Sequence, residues 1–442
     1  MESSCSRSMR GVPSGRGGHA WRDAVPSPFT GAGAHSLNGN DPHGARGDAV
    51  PTPAGGEVEP PDAAARARAG SGAVVVDRHQ DPRLADRTAL KPGGARSTQA
   101  APCSTIIREE TEAMKVGLFL NTQFPEGDDI AARLSQMVEQ VRLARHSGFA
   151  SLWFPDHYII GPVQMPQPMP LMAWLLREAE GMVVGPNIRI LPLLSPVMVA
   201  EEAATMDLLS GGRYVLGVGL GYRQAEFTAF GVPIQERAAR LGESIGLIRK
   251  LWTEKSVTHR GRHYTVEDAS LSLHPATPGG PPIYVAAMVD AAVRRAARLG
   301  DAWLIVNSAD IATVKSQMAV YRAALAETGR TAREYPITRE CYIGTSHATA
   351  FEECRAALHY KYAAYASWGL TRQASDLEMF GMPFEQFVRD RFIIGDKVSV
   401  KEEIARYRAE LGVDHFIMRV QWPGLPQERV LHSIRCLGEI FG

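Results

Sequence analysis

Short apolar runs alternate with longer segments of helical periodicity from residue 115 to the C-terminus. Such runs, with no alternation of polar and apolar residues, are typical of parallel strands that are covered on both faces. The intervening segments repeat apolar residues every three to four positions, as amphipathic helices do. The pattern predicts an α/β fold, a (β/α)8 TIM barrel with insertions, whose strands span residues 116–120, 151–154, 188–194, 214–218, 283–287, 302–306, 337–343 and 415–420.

Three segments fall outside this alternation. Residues 1–113 are rich in Gly, Pro, Ala, Arg and Ser and contain few large apolar side chains. They cannot bury enough surface to offset the entropy of ordering, so we expect a disordered N-terminal tail followed by one barrel domain over residues 114–442. Residues 256–280 predict a hairpin and loop around Gly261. Residues 367–394 predict an insertion near the barrel mouth.

The composition excludes several functions. The chain has 48 basic and 48 acidic residues, so no net field favours nucleic acid or an anionic membrane, and we expect a small organic molecule as the partner. Five cysteines without CxxC or metal-ligand spacing indicate a reducing compartment, and no apolar run approaches a membrane span. We therefore expect a cytoplasmic protein. The strand ends lack an H-x-H motif and a lysine, which argues against a metal site and a Schiff base.

In a TIM barrel the chemistry lies at the carboxyl ends of the strands, so the residues that follow each apolar run are informative. The second run is followed by Asp156 and His157. A histidine titrates near neutral pH and exchanges protons readily, so His157 and Asp156 are the candidate catalytic residues. The alternative is a plain strand end in which the histidine bonds the adjacent carboxylate.

Glycines dominate the end of the fourth run, where Gly217, Gly219 and Gly221 precede Tyr222 and Arg223. Without Cβ atoms, the main chain there can approach a flat ring or a phosphate and expose its amides. Equally, glycine in a tapering barrel merely lets neighbouring strands approach. Arg223 is predicted either to hold a phosphate or carboxylate, or to pair with Glu226 at the surface.

The surrounding stretch, residues 199–232, resembles the luciferase-like flavin monooxygenase family. It has an alanine-rich helix, a D-x-L-S-x-G-R turn, an L-G-V-G strand and a downstream E-F-x-x-F-G motif. These elements are formed here by Asp207, Leu209, Ser210, Gly212 and Arg213, then Leu216–Gly219, then Glu226, Phe227, Phe230 and Gly231. The resemblance implies a (β/α)8 barrel that binds a flavin or deazaflavin.

The family's second strand typically ends in an acidic residue and a catalytic histidine, so the resemblance assigns that role to His157. Its third strand passes beneath the flavin and commonly carries a non-prolyl cis peptide. Ser195 is then predicted either to hydrogen-bond the ring or to cap the next helix. After the fifth strand, Ala287 and Met288 are predicted to bind the cofactor through their amides, although a glycine pair that many deazaflavin-using relatives have is replaced here by Ala286-Ala287-Met288-Val289.

The activity that the resemblance implies is a monooxygenase reaction of reduced FMN and O2 with a small organic substrate. A flavin reductase would supply the reduced FMN. The alternatives are hydride transfer with the deazaflavin coenzyme F420, and a flavin-binding barrel without turnover. The resemblance also implies a possible homodimer, and it places the usual start of the family's chains at Met114, which we expect to be the natural start.

Overall fold

The computed structural model describes residues 114–161, 163–367 and 383–442. The tail predicted for residues 1–113 lies outside the described residues, as does most of the insertion predicted for 367–394. The strands are β1 (Lys115–Phe119), β2 (Ser151–Phe154), β3 (Val183–Pro186), β4 (Arg189–Ile190), β5 (Leu216–Gly219), β6 (Val257–Arg260), β7 (Thr265–Ala269), β8 (Ile283–Ala287), β9 (Ala302–Ile305), β10 (Pro336–Ile343), β11 (Ile393–Gly395) and β12 (His415–Arg419).

The helices of the described residues lie between these strands. They are α1 (Ile130–His146), α2 (Pro168–Leu175), α3 (Pro196–Ser210), α4 (Gln224–Ala229), α5 (Arg237–Thr253), α6 (Asp290–Leu299), α7 (Ile311–Thr328), α8 (His347–Ser367), α9 (Phe384–Val388), α10 (Lys397–Leu411) and α11 (Gln427–Phe441). The α3 helix ends at Gly211, whose φ of 65° is left-handed, as its Ser-Gly-Gly sequence predicts.

The main sheet is parallel and runs in the order β3, β2, β1, β12, β10, β9, β8, β5, β4. Since β3 and β4 are two halves of one strand, this order fills eight positions of a barrel in the described part of the chain. A bridge between Val184 and Tyr214 closes the ring. The predicted (β/α)8 barrel is therefore confirmed, and the predicted hairpin is the antiparallel pair of β6 and β7.

The third barrel strand differs from the prediction. It was expected at residues 188–194, but it runs as β3 and β4, and Leu191–Leu193 form a 3-10 turn. Between the halves the Asn187–Ile188 peptide bond is cis, on the strand where the resemblance implied one. The first half pairs with β2 and the second with β5, so the strand changes partner at this point.

Polar side chains form a buried chain at the amino-terminal end of the barrel. Trp153 Nε1 donates to Ser151 Oγ at 2.8 Å, and Ser151 Oγ lies 2.7 Å from His415 Nε2. His415 Nδ1 lies 2.9 Å from Glu334 Oε1, which also accepts a hydrogen bond from Tyr284. The polar groups of these five side chains therefore have hydrogen-bond partners, as buried polar groups require.

Candidate functional site

A cavity of about 310 Å³ opens at the carboxyl ends of the barrel strands. Its walls are mostly apolar, with a few polar side chains that converge from different strands, which is typical of small-molecule sites. The lining residues are Phe119, Pro155, Asp156, His157, Asn187, Ile188, Ile190, Gly219, Leu220, Gly221, Tyr222, Arg237, Ala286, Ala287, Met288, Val289, Ala292, Val306, Asn307, Ser308, Thr338 and Arg419.

A larger hollow of about 810 Å³ lies among helices α8, α9 and α10. Its lining is largely charged and includes Arg355, Glu385, Glu403 and Arg406, which pair with acidic or basic neighbours. The barrel strand ends converge on the smaller cavity instead. We therefore take the smaller cavity as the candidate site.

His157 lines this cavity and its ring is held from behind by Glu226. The Nδ1 atom lies 2.9 Å from Glu226 Oε1, and because a carboxylate accepts, Nδ1 carries the proton. The same oxygen accepts the Tyr158 amide at 2.9 Å and faces Arg223 Nη1 at 3.4 Å. Glu226 is fully buried. The arrangement fixes one tautomer of His157 and leaves Nε2 as the basic nitrogen.

Asp156 lies beside His157 in the cavity wall, but it does not bond the histidine. Its Oδ2 accepts weak hydrogen bonds at 3.4 Å from the Ile190 amide and the Tyr158 hydroxyl, while Arg189 Nε lies 3.7 Å away. Its Oδ1 is buried and has no hydrogen-bond partner among the described residues. Burial raises the pKa of Asp156 to about 6, against the opposing charges of Arg189 and His157.

Asn187, Thr338 and Arg419 are among the polar residues that line the cavity. Asn187 Nδ2 donates to Thr338 Oγ1 at 2.9 Å, which links the broken third strand to β10 across the barrel. Arg419, at the end of β12, donates to Asn121 Oδ1 at 2.7 Å, and its guanidinium lies 5.0 Å from the centre of the Phe119 ring. The cation is thus fixed in place before any ligand binds.

The glycines of β5 have two different environments. A Cβ on Gly217 would lie 2.0 Å from the Pro186 carbonyl oxygen, so glycine is needed there because β3 approaches closely. Gly219 and Gly221 line the cavity, although a Cβ on either would first meet Ile188 or Ile190. Gly221 also has a φ of 71°. The close packing of the third strand therefore accounts for Gly217 without any ligand.

Seven of the ten predicted site residues line the cavity, namely Asp156, His157, Gly219, Gly221, Tyr222, Ala287 and Met288. Gly217, Ser195 and Arg223 are not among the lining residues. Ser195 is exposed at the N-cap position of α3, and its side chain makes no capping hydrogen bond. The Arg223 guanidinium is buried and donates to the Tyr158 carbonyl at 2.9 Å, so it lies behind the His157 loop rather than at the surface.

Sequence reasoning did not assign the roles of three residues of the site. Glu226 was identified as part of a motif and as a surface partner of Arg223, but not as a buried partner of His157. Asn307 and Arg419 follow or end apolar runs, and both line the cavity. Their roles depend on contacts between distant strands, which a single sequence does not reveal.

The cavity suits a flat heteroaromatic ring. Ile188, Ile190, Ala287 and Val306 provide apolar surfaces, and His157 and Asn307 provide polar contacts at the edges. The Oδ1 atom of Asp156, which has no hydrogen-bond partner among the described residues, fits a polar edge of such a ring. In the described residues no group of three or more His, Cys, Asp or Glu side chains is arranged to hold a metal ion. None of the helices described here is long and apolar enough to cross a bilayer.

Comparison with known proteins identifies the family. The F420-dependent glucose-6-phosphate dehydrogenase of Amycolatopsis mediterranei is 29% identical over 331 residues, which are 68% of this chain and 95% of that protein. The monooxygenase RslO1 of Streptomyces bottropensis superposes with a TM-score of 0.64 at 23% identity, over 74% of this chain and 98% of that one.

An F420-dependent secondary alcohol dehydrogenase, solved with an F420-acetone adduct, gives a TM-score of 0.62 at 22% identity over 74% of this chain and 98% of that chain. These structural similarities show a shared fold. The sequence profile described as "Luciferase-like monooxygenase" matches residues 114–415. This chain therefore belongs to the luciferase-like monooxygenase family, whose members are flavin- or F420-dependent oxidoreductases.

Proposed function

We propose that the protein is an F420-dependent oxidoreductase that interconverts an alcohol and a carbonyl group on a small organic substrate. The observation that carries the proposal is the hydrogen bond between His157 and Glu226 at the wall of the cavity. It leaves a basic nitrogen in a largely apolar site, where a substrate hydroxyl would need to lose its proton. The similarity to F420-dependent glucose-6-phosphate dehydrogenases supports the choice of coenzyme.

Coenzyme F420, when bound, would supply a hydride acceptor for the oxidation of an alcohol carbon to a carbonyl. The role of His157 Nε2 would be to take the proton of the substrate hydroxyl. Glu226 then stabilises the doubly protonated ring, because its carboxylate already accepts from Nδ1. Arg223 in turn places a positive charge 3.4 Å from that carboxylate.

The apolar walls have a role in the same reaction. Ile188, Ile190 and Val306 line the same cavity as His157 and give it apolar surface. Dry surroundings strengthen the electrostatic interactions of the polar groups that remain. The cavity backbone at Ala287 and Met288 would hold the coenzyme through amides, which is the role the sequence predicted for these residues.

The test is reduction of F420, followed by its absorbance, with a panel of primary and secondary alcohols. We expect the His157→Ala variant to lose about 100-fold or more in kcat while it binds F420 with an affinity within about threefold of the wild type. The exposed Ser195→Ala variant serves as a control and should retain activity. Equal turnover by His157→Ala and the wild type would remove the histidine from the mechanism.

A second candidate is an FMN-dependent monooxygenase, which the sequence segment Ala286-Ala287-Met288-Val289 favours because it lacks the glycine pair of many deazaflavin-using relatives. Reduced FMN would then activate O2 for attack on the substrate. Substrate-dependent oxygen consumption with reduced FMN, and no F420 reduction, would select this candidate. Coenzyme binding without turnover in either assay would instead indicate a binding protein.

A further inference from the structure

Asn307 follows strand β9 and its side chain lines the cavity wall opposite His157. Going around the ring, β9 is four positions from β2 in either direction, counted through β1, β12 and β10 or through the third strand, β5 and β8. Both residues line the same cavity. A ligand that contacts His157 therefore has Asn307 across from it.

The orientation of the Asn307 amide is set by Glu340. The Asn307 Nδ2 atom donates to Glu340 Oε1 at 2.6 Å and to the Tyr362 hydroxyl at 3.4 Å. Glu340 is fully buried; it bonds Lys361 Nζ and accepts from Trp422 Nε1. Burial acts against ionisation, but the charges of Lys361 and Arg419 hold the pKa of Glu340 below its usual range.

An ionised carboxylate only accepts hydrogen bonds, so the NH2 end of the Asn307 amide must face Glu340. The other end, Oδ1, then points away from Glu340, and no residue described in the structure donates a hydrogen bond to it. The ion pair beneath Asn307 is 3% exposed at Lys361 and 0% at Glu340, so water does not compete for this arrangement. Asn307 thus offers the cavity an acceptor and not a donor.

We propose that Asn307 recognises an N–H or O–H donor of the bound ligand through its Oδ1 atom, and that Glu340 is the positioning residue that keeps this atom turned to the cavity. The inference rests on the proposed function only in taking this cavity as the site of coenzyme and substrate. Two groups of a bound ligand would have this chemistry. One is the imide N–H of a flavin or deazaflavin ring, and the other is a substrate hydroxyl.

The experiment compares Asn307→Leu with the wild type, because leucine keeps the volume and removes the acceptor. Fluorescence titrations use F420, FMN and FMN methylated at the imide nitrogen as probes. If the ring donates, the wild type binds FMN about five- to tenfold more tightly than the methylated probe, and Asn307→Leu loses that discrimination. If the substrate donates, coenzyme affinity is unchanged and KM rises about five- to tenfold in the variant.

The positioning role is tested with the double variant Glu340→Met, Lys361→Met, since replacing a buried ion pair by apolar residues of similar size commonly preserves folding. In this double variant the side-chain amide of Asn307 can rotate by 180°. Discrimination between FMN and the methylated probe, or the substrate KM, should therefore change as in Asn307→Leu. Tyr362→Phe separates the two acceptors of the Asn307 amide. It removes the weaker contact at 3.4 Å and one partner of Glu340 but keeps the carboxylate, so the discrimination and the KM should stay closer to those of the wild type than to those of Asn307→Leu.

Unchanged discrimination and unchanged KM in Asn307→Leu would overturn the inference. A wild type that binds neither coenzyme would overturn the proposed function instead. In that case the side-chain amide resonances of Asn307 still decide the positioning claim. We expect both amide protons to respond to the Glu340→Met, Lys361→Met double variant, and no response would refute it.

Discussion

His157 and Glu226 are separated by 69 residues in the chain, yet the imidazole and the carboxylate share a hydrogen bond of 2.9 Å. The contact joins the end of β2 to helix α4, which follows β5. The adjacent Asp156, which the sequence offers as a neighbour, instead contacts the amide of Ile190. The two acidic residues near His157 therefore have different tasks, since one orients the ring and the other faces the cavity.

We expect the Glu226→Gln variant to lose roughly 10- to 100-fold in kcat, because the amide still accepts from Nδ1 but no longer stabilises a positive ring. Coenzyme affinity should change little. Glu202→Gln is the matched control. The partly exposed Glu202 carboxylate lies 3.1 Å from Arg189, and Glu202 does not line the cavity. Steady-state kinetics of the two variants make the comparison, and a Glu226→Gln enzyme with wild-type kcat would contradict the assignment.

Asp156 should make the stability of the fold depend on pH. Its pKa is raised from 3.8 to about 6 by burial, so the folded state holds a proton that the unfolded chain releases. This contribution to stability is complete below pH 4 and is lost as the pH rises through 6. The wild type should therefore lose stability relative to the Asp156→Asn variant when the pH is raised from 4.5 to 8. The difference in their free energies of unfolding should change by at most about 3 kcal/mol.

Thermal unfolding at these two pH values measures the difference in Tm between the Asp156→Asn variant and the wild type. The control is Asp128→Asn, since Asp128 lies in a partly exposed ion pair with Arg133. A Tm difference for Asp156→Asn that is the same at both pH values would show that Asp156 is already ionised without cost in the folded protein.

Glu334 should act in the opposite sense. Burial opposes its ionisation, but the hydrogen bond and charge of His415 and the Tyr284 hydroxyl lower its pKa from 4.5 to about 2. Its contribution to stability is present above pH 4.5 and is lost as the pH falls through 2. Glu334→Gln should destabilise the fold by about 2 to 3 kcal/mol at pH 7 and by clearly less at pH 3. Urea unfolding at both pH values tests this, and an equal loss at both would be contrary to expectation.

Gly217 should not tolerate a side chain. A Cβ atom there would lie 2.0 Å from the Pro186 carbonyl oxygen, which belongs to the backbone and cannot move independently of β3. We expect Gly217→Ala to cost more than about 2 kcal/mol of unfolding free energy. Gly246→Ala is the control, because Gly246 is exposed in α5 with nothing within 4 Å, and this change should stabilise the helix by roughly 0.5 to 1 kcal/mol. Chemical denaturation measures the unfolding free energy of both variants. A Gly217→Ala protein as stable as the wild type would contradict the prediction.

The barrel and most of its strands could be predicted from the sequence, because a parallel strand covered on both faces leaves a short apolar run that needs no long-range information. The third strand could not be placed. Its first half, Val183–Pro186, looks like the end of a helical segment, and its strand conformation depends on pairing with β2, which is distant in the sequence.

The site was predicted residue by residue but not as a network. His157 and Tyr222 were placed at strand ends, which in a barrel lie around the mouth, and both line the cavity. The partnership of His157 with Glu226, and that of Asn307 with Glu340, join elements far apart in the chain. Nothing in the local sequence distinguishes a carboxylate that faces solvent from one that is buried behind a cavity wall.

The buried chain of Ser151, His415 and Glu334 has the order and spacing of a hydrolase triad, with distances of 2.7 and 2.9 Å. A template search for serine nucleophiles would therefore select this protein. Yet the indole N–H of Trp153 already donates a hydrogen bond to the Ser151 hydroxyl oxygen. None of the three residues lines the cavity at the strand ends. Distances between side chains alone thus do not define a nucleophile, and a fluorophosphonate reagent should leave Ser151 unlabelled in the folded protein.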